Sequence, residues 1–213
     1  MKIKLKDRKI LFKGGNRICY LHPDDDNKIL KVLSPEKLPE AKRKTAPLYK
    51  KFRTLNSFDD NLKELKAFKN LAQRGEGVWR HFPKCFGMME TDLGDAICLE
   101  LIRSGDGSLA PTVNEYIRIH GLTGDLMKAM EDFFSFLRNN HIITRDLHGR
   151  NLILKKNGGF RIYMIDGIGN SDFIPIANLS KTWAKHKINR NVDKLKNRLQ
   201  WPGSQGDFIR VKR

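Results

Sequence analysis

The chain has 213 residues, a formal net charge of +17, 39% hydrophobic and 31% charged residues. That is enough for one substantial core or two small lobes, and it excludes disordered, collagen-like and disulfide-dense classes. Cys19, Cys85 and Cys98 share no ligand spacing, so neither a zinc site nor a disulfide framework is expected, only reduced, buried thiols. The cationic excess calls for an anionic partner: nucleotide phosphate, nucleic acid, or the headgroups of an anionic lipid or glycan. Lys2, Lys4, Lys6, Arg8 and Lys9 break up the N-terminal apolar residues, and no long apolar run follows. The expectation is a cytoplasmic chain, neither exported nor membrane-spanning.

In chain order, Lys9 to Phe12, Ile18 to Leu21 and Lys28 to Leu33 are apolar runs separated by turn residues, and they predict three antiparallel strands. Residues 34–55 hold Pro35, Pro39 and Pro47 among many lysines, which predicts an exposed insertion of low order rather than a continuous helix. Asn56 or Ser57 is the expected cap of a helix running to about Gln73, with Leu62, Leu65, Phe68 and Leu71 on one face. Two further strands are expected near Lys84 to Glu90 and Ala96 to Ile102. The polar stretch Arg103 to Ala110 is the predicted hinge between an N-lobe of residues 1–102 and a helical C-lobe of residues 103–213. There Thr112 starts a short helix, and a second runs from about Thr123 to Asn140 with Leu126, Met130, Phe133, Phe134 and Leu137 at helical spacing. A hairpin turns through Asn157-Gly158-Gly159, and a basic helix spans about Ser180 to Leu199.

The chemistry is concentrated in Thr144-Arg145-Asp146-Leu147-His148-Gly149-Arg150-Asn151, followed across the hairpin by Ile165-Asp166-Gly167. Phosphoryl transfer needs a carboxylate to orient the attacking hydroxyl, an amide oxygen to hold one divalent ion and a second carboxylate for another. Asp146, Asn151 and Asp166 have that order and spacing. Upstream, Lys31 in the strand Ile29-Leu30-Lys31-Val32 is the candidate for the α and β phosphates, and Glu64 on the following helix is its candidate partner. Gly14, Gly15, Asn16 and Arg17 form a turn where backbone N–H groups can approach phosphate oxygens. Glu100 to Ile102 lies where adenine would find backbone partners. The other histidines share no ligand spacing and read as structural or surface residues.

This order of parts resembles the protein kinase-like superfamily and, more closely, the bacterial YrbL family of PhoP-regulated proteins. The closer resemblance rests on Cys19-Tyr20-Leu21-His22-Pro23, Ile29 to Val32, Glu64-Leu65-Lys66, Glu90-Thr91-Asp92, Arg138 to Leu154 and Ile174-Pro175. It implies an α+β, two-lobed kinase-like fold with a truncated helical C-lobe, and ATP and magnesium as ligands. By that resemblance Lys31 binds phosphate, Glu64 positions it, Asp146 is the catalytic base, and Asn151 and Asp166 hold metal.

The departures direct the choice of acceptor. Thr144-Arg145-Asp146 replaces the His-Arg-Asp of protein kinases, and Asp166-Gly167-Ile168-Gly169 replaces Asp-Phe-Gly. His148 stands where protein kinases carry a lysine that meets the transferred phosphate, so it is a candidate phosphate or acceptor contact. Only 47 residues follow Asp166, with no Ala-Pro-Glu, which leaves little room for a peptide-docking lobe. The short C-lobe and basic tail resemble those of lipopolysaccharide core kinases. The leading expectation is therefore an ATP- and magnesium-dependent phosphotransferase acting on a hydroxyl of a sugar, lipopolysaccharide or capsule precursor. Its partners are ATP and an anionic glycan, with the inner-membrane surface as a further anionic contact. A protein Ser/Thr kinase and a non-catalytic pseudokinase are the alternatives. Nucleic acid is disfavoured, since no recognition motif or interleaved stacking platform is present.

Overall fold

The computed structural model describes residues 2–168 and 181–203, which fall into two compact units, Met1–Arg103 and Ser104–Arg213. Ser180, Gly169 and the Ile174-Pro175 pair lie outside the described residues.

Unit 1 is built on a five-stranded antiparallel sheet of order β1-β2-β3-β5-β4, comprising β1 (Ile10–Lys13), β2 (Arg17–His22), β3 (Asp25–Leu33), β4 (Cys85–Thr91) and β5 (Gly94–Glu100). The predicted strands are present, but β3 starts three residues earlier than its apolar run. Asp25 pairs with His22 across an irregularity in the β2–β3 ladder, and the exposed Asp26 and Asn27 lie within it. One sheet face buries Leu5, Tyr20, Leu30, Val32, Ala96 and Cys98 as a core. Leu5 enters that core because Ile3 bridges Thr91 and the Asp92 carboxylate accepts from the Leu5 N–H at 2.7 Å. Of the thiols, Cys98 is buried and its pKa is pushed up to about 11 by burial. Cys19 and Cys85 are only half-buried, a correction to the expectation: Cys19 alternates with the core residue Tyr20 and so lies on the other sheet face, and Cys85 is the first residue of β4.

Residues 34–55 are more ordered than expected. Each proline starts an element instead of preventing one: a 3-10 turn at Pro35–Lys37, α1 (Pro39–Thr45) with Pro39 in its first turn, and α2 (Leu48–Lys51) capped by Pro47. A fixed φ and a missing N–H cost nothing at a helix start. The next helix, α3 (Asp60–Ala72), begins later than Asn56 or Ser57, which belong to a preceding 3-10 turn. Its cap is Asp59, whose Oδ1 accepts from the N–H groups of Asn61 at 2.7 Å and Leu62 at 3.0 Å. Phe68 and Leu71 are buried as α3 packs on β3, β4 and β5.

In unit 2, α4 (Val113–His120) opens with a capping box in which Thr112 and Glu115 satisfy each other's backbone N–H groups. Next, α5 (Gly124–Asn139) is capped by Thr123 and buries Leu126, Ala129, Met130, Phe133, Phe134 and Leu137. A hairpin of β6 (Leu152–Lys156) and β7 (Phe160–Met164) packs on α5, and the described chain closes with α6 (Lys181–Arg198). No helix among the described residues is long and apolar enough to cross a membrane.

Phe133 is fully buried on α5. Phe133→Ala should lower the unfolding free energy by about 3–5 kcal/mol in guanidinium titration, the usual cost of emptying an aromatic core site.

Candidate functional site

In unit 1 the geometry centres on Glu64. Lys31 is paired with Cys19 on β2 and Ile97 on β5, and its ammonium meets Glu64 Oε1 at 3.0 Å. The helix bearing Glu64 is pinned over this strand by Asn61, whose amide donates to the carbonyls of Lys31 at 3.0 Å and Asp95 at 3.2 Å. The second oxygen of Glu64 pairs with the guanidinium of Arg17. All three groups are at most 8% exposed. Charges taken this far out of water persist only when paired, so the carboxylate fixes both cations.

Sequence reasoning assigned Arg17 to a phosphate-facing turn, and here it stands at the first position of β2 on Glu64. Gly14 closes that turn by donating to the Arg17 carbonyl at 2.9 Å, while Gly15 has open space around it. The Asn16 amide donates to Asp60 at the start of α3, at 3.1 Å. Glu100 is committed to Lys84, donating its N–H at 2.9 Å and accepting from the Lys84 N–H at 3.0 Å through its side chain. Ile102 is buried.

In unit 2, Asp146, Asn151 and Asp166 are brought together by backbone bonds. The N–H of Ile165 donates to the Asn151 carbonyl at 3.0 Å, and the N–H of Arg145 to the Gly167 carbonyl at 2.6 Å. Thr144 and Ile168 form an antiparallel bridge. Gly167 has φ of 78°, and a Cβ placed there would lie 2.9 Å from the Asp146 carbonyl oxygen. Only glycine lets the Asp166 turn approach the Asp146 loop this closely. A second glycine, Gly149, packs so tightly on the Asn114 side chain of α4 that a Cβ would collide with it.

The Asn151 amide donates to the Asp146 carbonyl and to its Oδ2, both at 3.0 Å. With its NH₂ so engaged, its Oδ1 is left as an acceptor for a cation. Arg150 also reaches Asp146 Oδ2, at 3.2 Å, in a solvent-exposed pair. Asp166 Oδ1 accepts from the Gly167 N–H at 2.7 Å. His148 caps the 3-10 turn Gly149–Asn151, its Nδ1 accepting from the Arg150 N–H. Burial, then the nearby Arg150 and Arg198 charges, hold the imidazole below its ordinary pKa, so at neutral pH it is uncharged.

The residues present fit magnesium. A carboxylate and an amide oxygen are the sparse, hard donor set that magnesium uses when phosphates and water complete its shell.

Sequence reasoning missed the bracing of this loop by α6. Asn191 donates to the Thr144 carbonyl at 2.7 Å, and Arg198 to the Leu147 carbonyl at 3.5 Å. The basic helix is therefore partly consumed internally: Lys187 is buried, and Lys196 pairs with Glu131 and lies over Trp201. Lys181, Lys185, Arg190 and Lys194 remain exposed. The missed pairs are 47 and 51 residues apart, beyond the reach of any local spacing rule.

These features define a protein kinase-like α+β fold. A crystal structure of Rad53 residues 1–466 with AMP-PNP is similar to the chain at a TM-score of 0.54 and 11% identity, covering 96% of this chain and 52% of that one. The chain thus spans about half the length of that structure. The Mycobacterium tuberculosis PknI kinase domain matches with a TM-score of 0.47 and 15% identity over 88% of this chain and 71% of its own. The family model described as PhoP regulatory network protein YrbL matches residues 3–200, and the chain belongs to the YrbL family. YrbL of Escherichia coli K12 and YrbL of Shigella flexneri are each 25% identical over 199 residues, 91% of this chain and 84% of the relative.

Two stability measurements check this geometry. Gly167→Ala should cost about 1–3 kcal/mol from backbone strain, before any clash with Asp146 is added. Glu64→Ala should cost about 3–5 kcal/mol, because two buried cations lose their shared carboxylate. Lys31→Met should cost less than Glu64→Ala, since Arg17 still holds Glu64. Equal losses in chemical denaturation would mean that the two cations do not share one anchor.

Proposed function

We propose that the chain is an ATP- and magnesium-dependent phosphotransferase whose acceptor is a hydroxyl of a sugar, lipopolysaccharide or capsule precursor. The observation that carries this reading is the backbone ladder that holds Asp146, Asn151 and Asp166 together. Three oxygen-bearing side chains in that order serve phosphoryl transfer, where positioning and charge neutralisation do most of the catalysis. Asp146 would orient the acceptor hydroxyl and receive its proton. Lys31, held by Glu64, would bind the nucleotide phosphates, with Arg17 and the turn of Gly14, Gly15 and Asn16 beside it. Asn151 and Asp166 would hold magnesium, which when bound neutralises phosphate charge. His148, uncharged at neutral pH, would accept or donate a hydrogen bond to the acceptor or the transferred phosphate. Glu100 and Ile102 would flank the base.

The AMP-PNP bound to the Rad53 structure supports nucleotide binding by this fold. The acceptor class rests on the net charge of +17 and on the exposed cations of α6, which suit an anionic glycan. On the same ground the chain works in the cytoplasm, peripherally at the anionic inner-membrane surface. The family description names its members PhoP regulatory network proteins.

One observation favours a second reading, a pseudokinase that binds nucleotide without transfer. The Asp146 carboxylate is already engaged through Oδ2 by Arg150 as well as Asn151, partners that compete with an acceptor hydroxyl for that oxygen.

Thermal unfolding with and without ATP and magnesium, followed by a transfer assay, separates the readings. At about 100 times its dissociation constant a ligand stabilises by roughly 2.7 kcal/mol. Wild type and Asp146→Asn should both show a magnesium-dependent shift, and Lys31→Ala and Asp166→Asn should lose it. Transfer of labelled phosphate to a glycan acceptor should then be abolished by Asp146→Asn. Absence of any shift in folded wild type would sink both readings, whereas a shift without transfer would favour the pseudokinase.

A further inference from the structure

The segment between the strand of Lys31 and the helix of Glu64 displays apolar side chains where a soluble surface would hide them. Leu48 is 76% exposed, Tyr49 64% and Phe52 90%. Three large apolar groups in five residues form a single protruding patch, unlike the scattered exposed residues of ordinary surfaces. Positions 48, 49 and 52 fall within about 100° of one helical turn, so they point the same way.

The stretch of sequence around them is cationic. Residues 41–58 contain Lys42, Arg43, Lys44, Lys50, Lys51 and Arg53 and no acidic residue. Lys42 is anchored to Asp60, while the Lys50 ammonium lies over the Tyr49 ring at 5.6 Å. Lys44 is exposed, and Lys50 and Lys51 are half-exposed. The patch is also braced. Pro39 and Pro47 set the starts of α1 and α2, and the Arg43 guanidinium donates to the Lys51 carbonyl at 2.9 Å, tying the two short helices into one knuckle.

We propose that this knuckle is a docking element for an anionic bilayer surface, with Leu48, Tyr49 and Phe52 entering the headgroup and acyl boundary and the flanking lysines pairing with lipid phosphates. An apolar tip with a cationic rim matches the layered chemistry of such a surface, apolar below and negative above. Nucleic acid would stack on Tyr49 and Phe52 and leave Leu48 in water, since Leu has no π-face. An acidic peptide would pair with the lysines and give the tip nothing apolar to enter. The inference narrows the peripheral membrane association proposed above and rests on that part of it, but it requires neither nucleotide nor transfer.

The test is co-sedimentation of the full chain with phosphatidylcholine vesicles and with vesicles also containing phosphatidylglycerol. Wild type should bind only the anionic vesicles. Leu48→Ser/Tyr49→Ser/Phe52→Ser should weaken that binding by more than about tenfold with the melting temperature little changed, because most of each side chain is already in water. Lys44→Glu/Lys51→Glu should weaken it comparably. Equal vesicle binding by the triple variant and wild type would overturn the knuckle assignment while leaving membrane association in place. No vesicle binding by wild type, or binding to RNA or polyglutamate instead, would overturn both.

Discussion

The absence of a side chain at Gly167 is the constraint on which the candidate site depends. Its carbonyl accepts from the Arg145 N–H and its α-carbon lies against the Asp146 backbone, so the turn carrying Asp166 and the loop carrying Asp146 and Asn151 behave as one piece. The kinase-like order of residues matters only because this contact converts order into proximity. Together with the Ile165–Asn151 bond and the Thr144–Ile168 bridge, it gives three oxygen-bearing side chains on two separate loops a common geometry.

A second constraint acts in unit 1 and is electrostatic. Glu64 is buried, and the usual objection to a buried carboxylate is met twice over, by Lys31 and by Arg17. The pairing couples β2, β3 and α3 through one side chain. Moving the helix away would strand two cations as well as one anion, so this helix is held more firmly than a single ion pair would allow. Arg17 at the head of β2 is thus a structural tie whatever else it meets.

Much of this was legible in the sequence. Periodicity identified α5 and its buried face, and Thr112 and Thr123 marked helix starts because their hydroxyls are suited to cap orphan N–H groups. The cap of α3 lies later than the sequence suggests, since Asn56, Ser57 and Asp59 are all good capping residues and only the 3-10 turn before Asp60 decides among them. In the sequence the prolines of residues 34–55 look like breakers, whereas in the fold they act as initiators. Lys31 and Glu64 were paired from their order along the chain, but the claim of Arg17 on the same carboxylate was not, because strand register alone carries Arg17 there. The position of β5 between β3 and β4 likewise depends on long-range pairing that no local pattern encodes.

The bracing of the Asp146 loop by α6 has a consequence for how the protein comes into being. Thr144 and Leu147 present carbonyls to partners that lie 47 and 51 residues further along the chain. During synthesis the loop emerges from the ribosome well before Asn191 and Arg198 do, and domains fold as units in the order they are made. A nascent chain therefore carries this loop unbraced until α6 has been made.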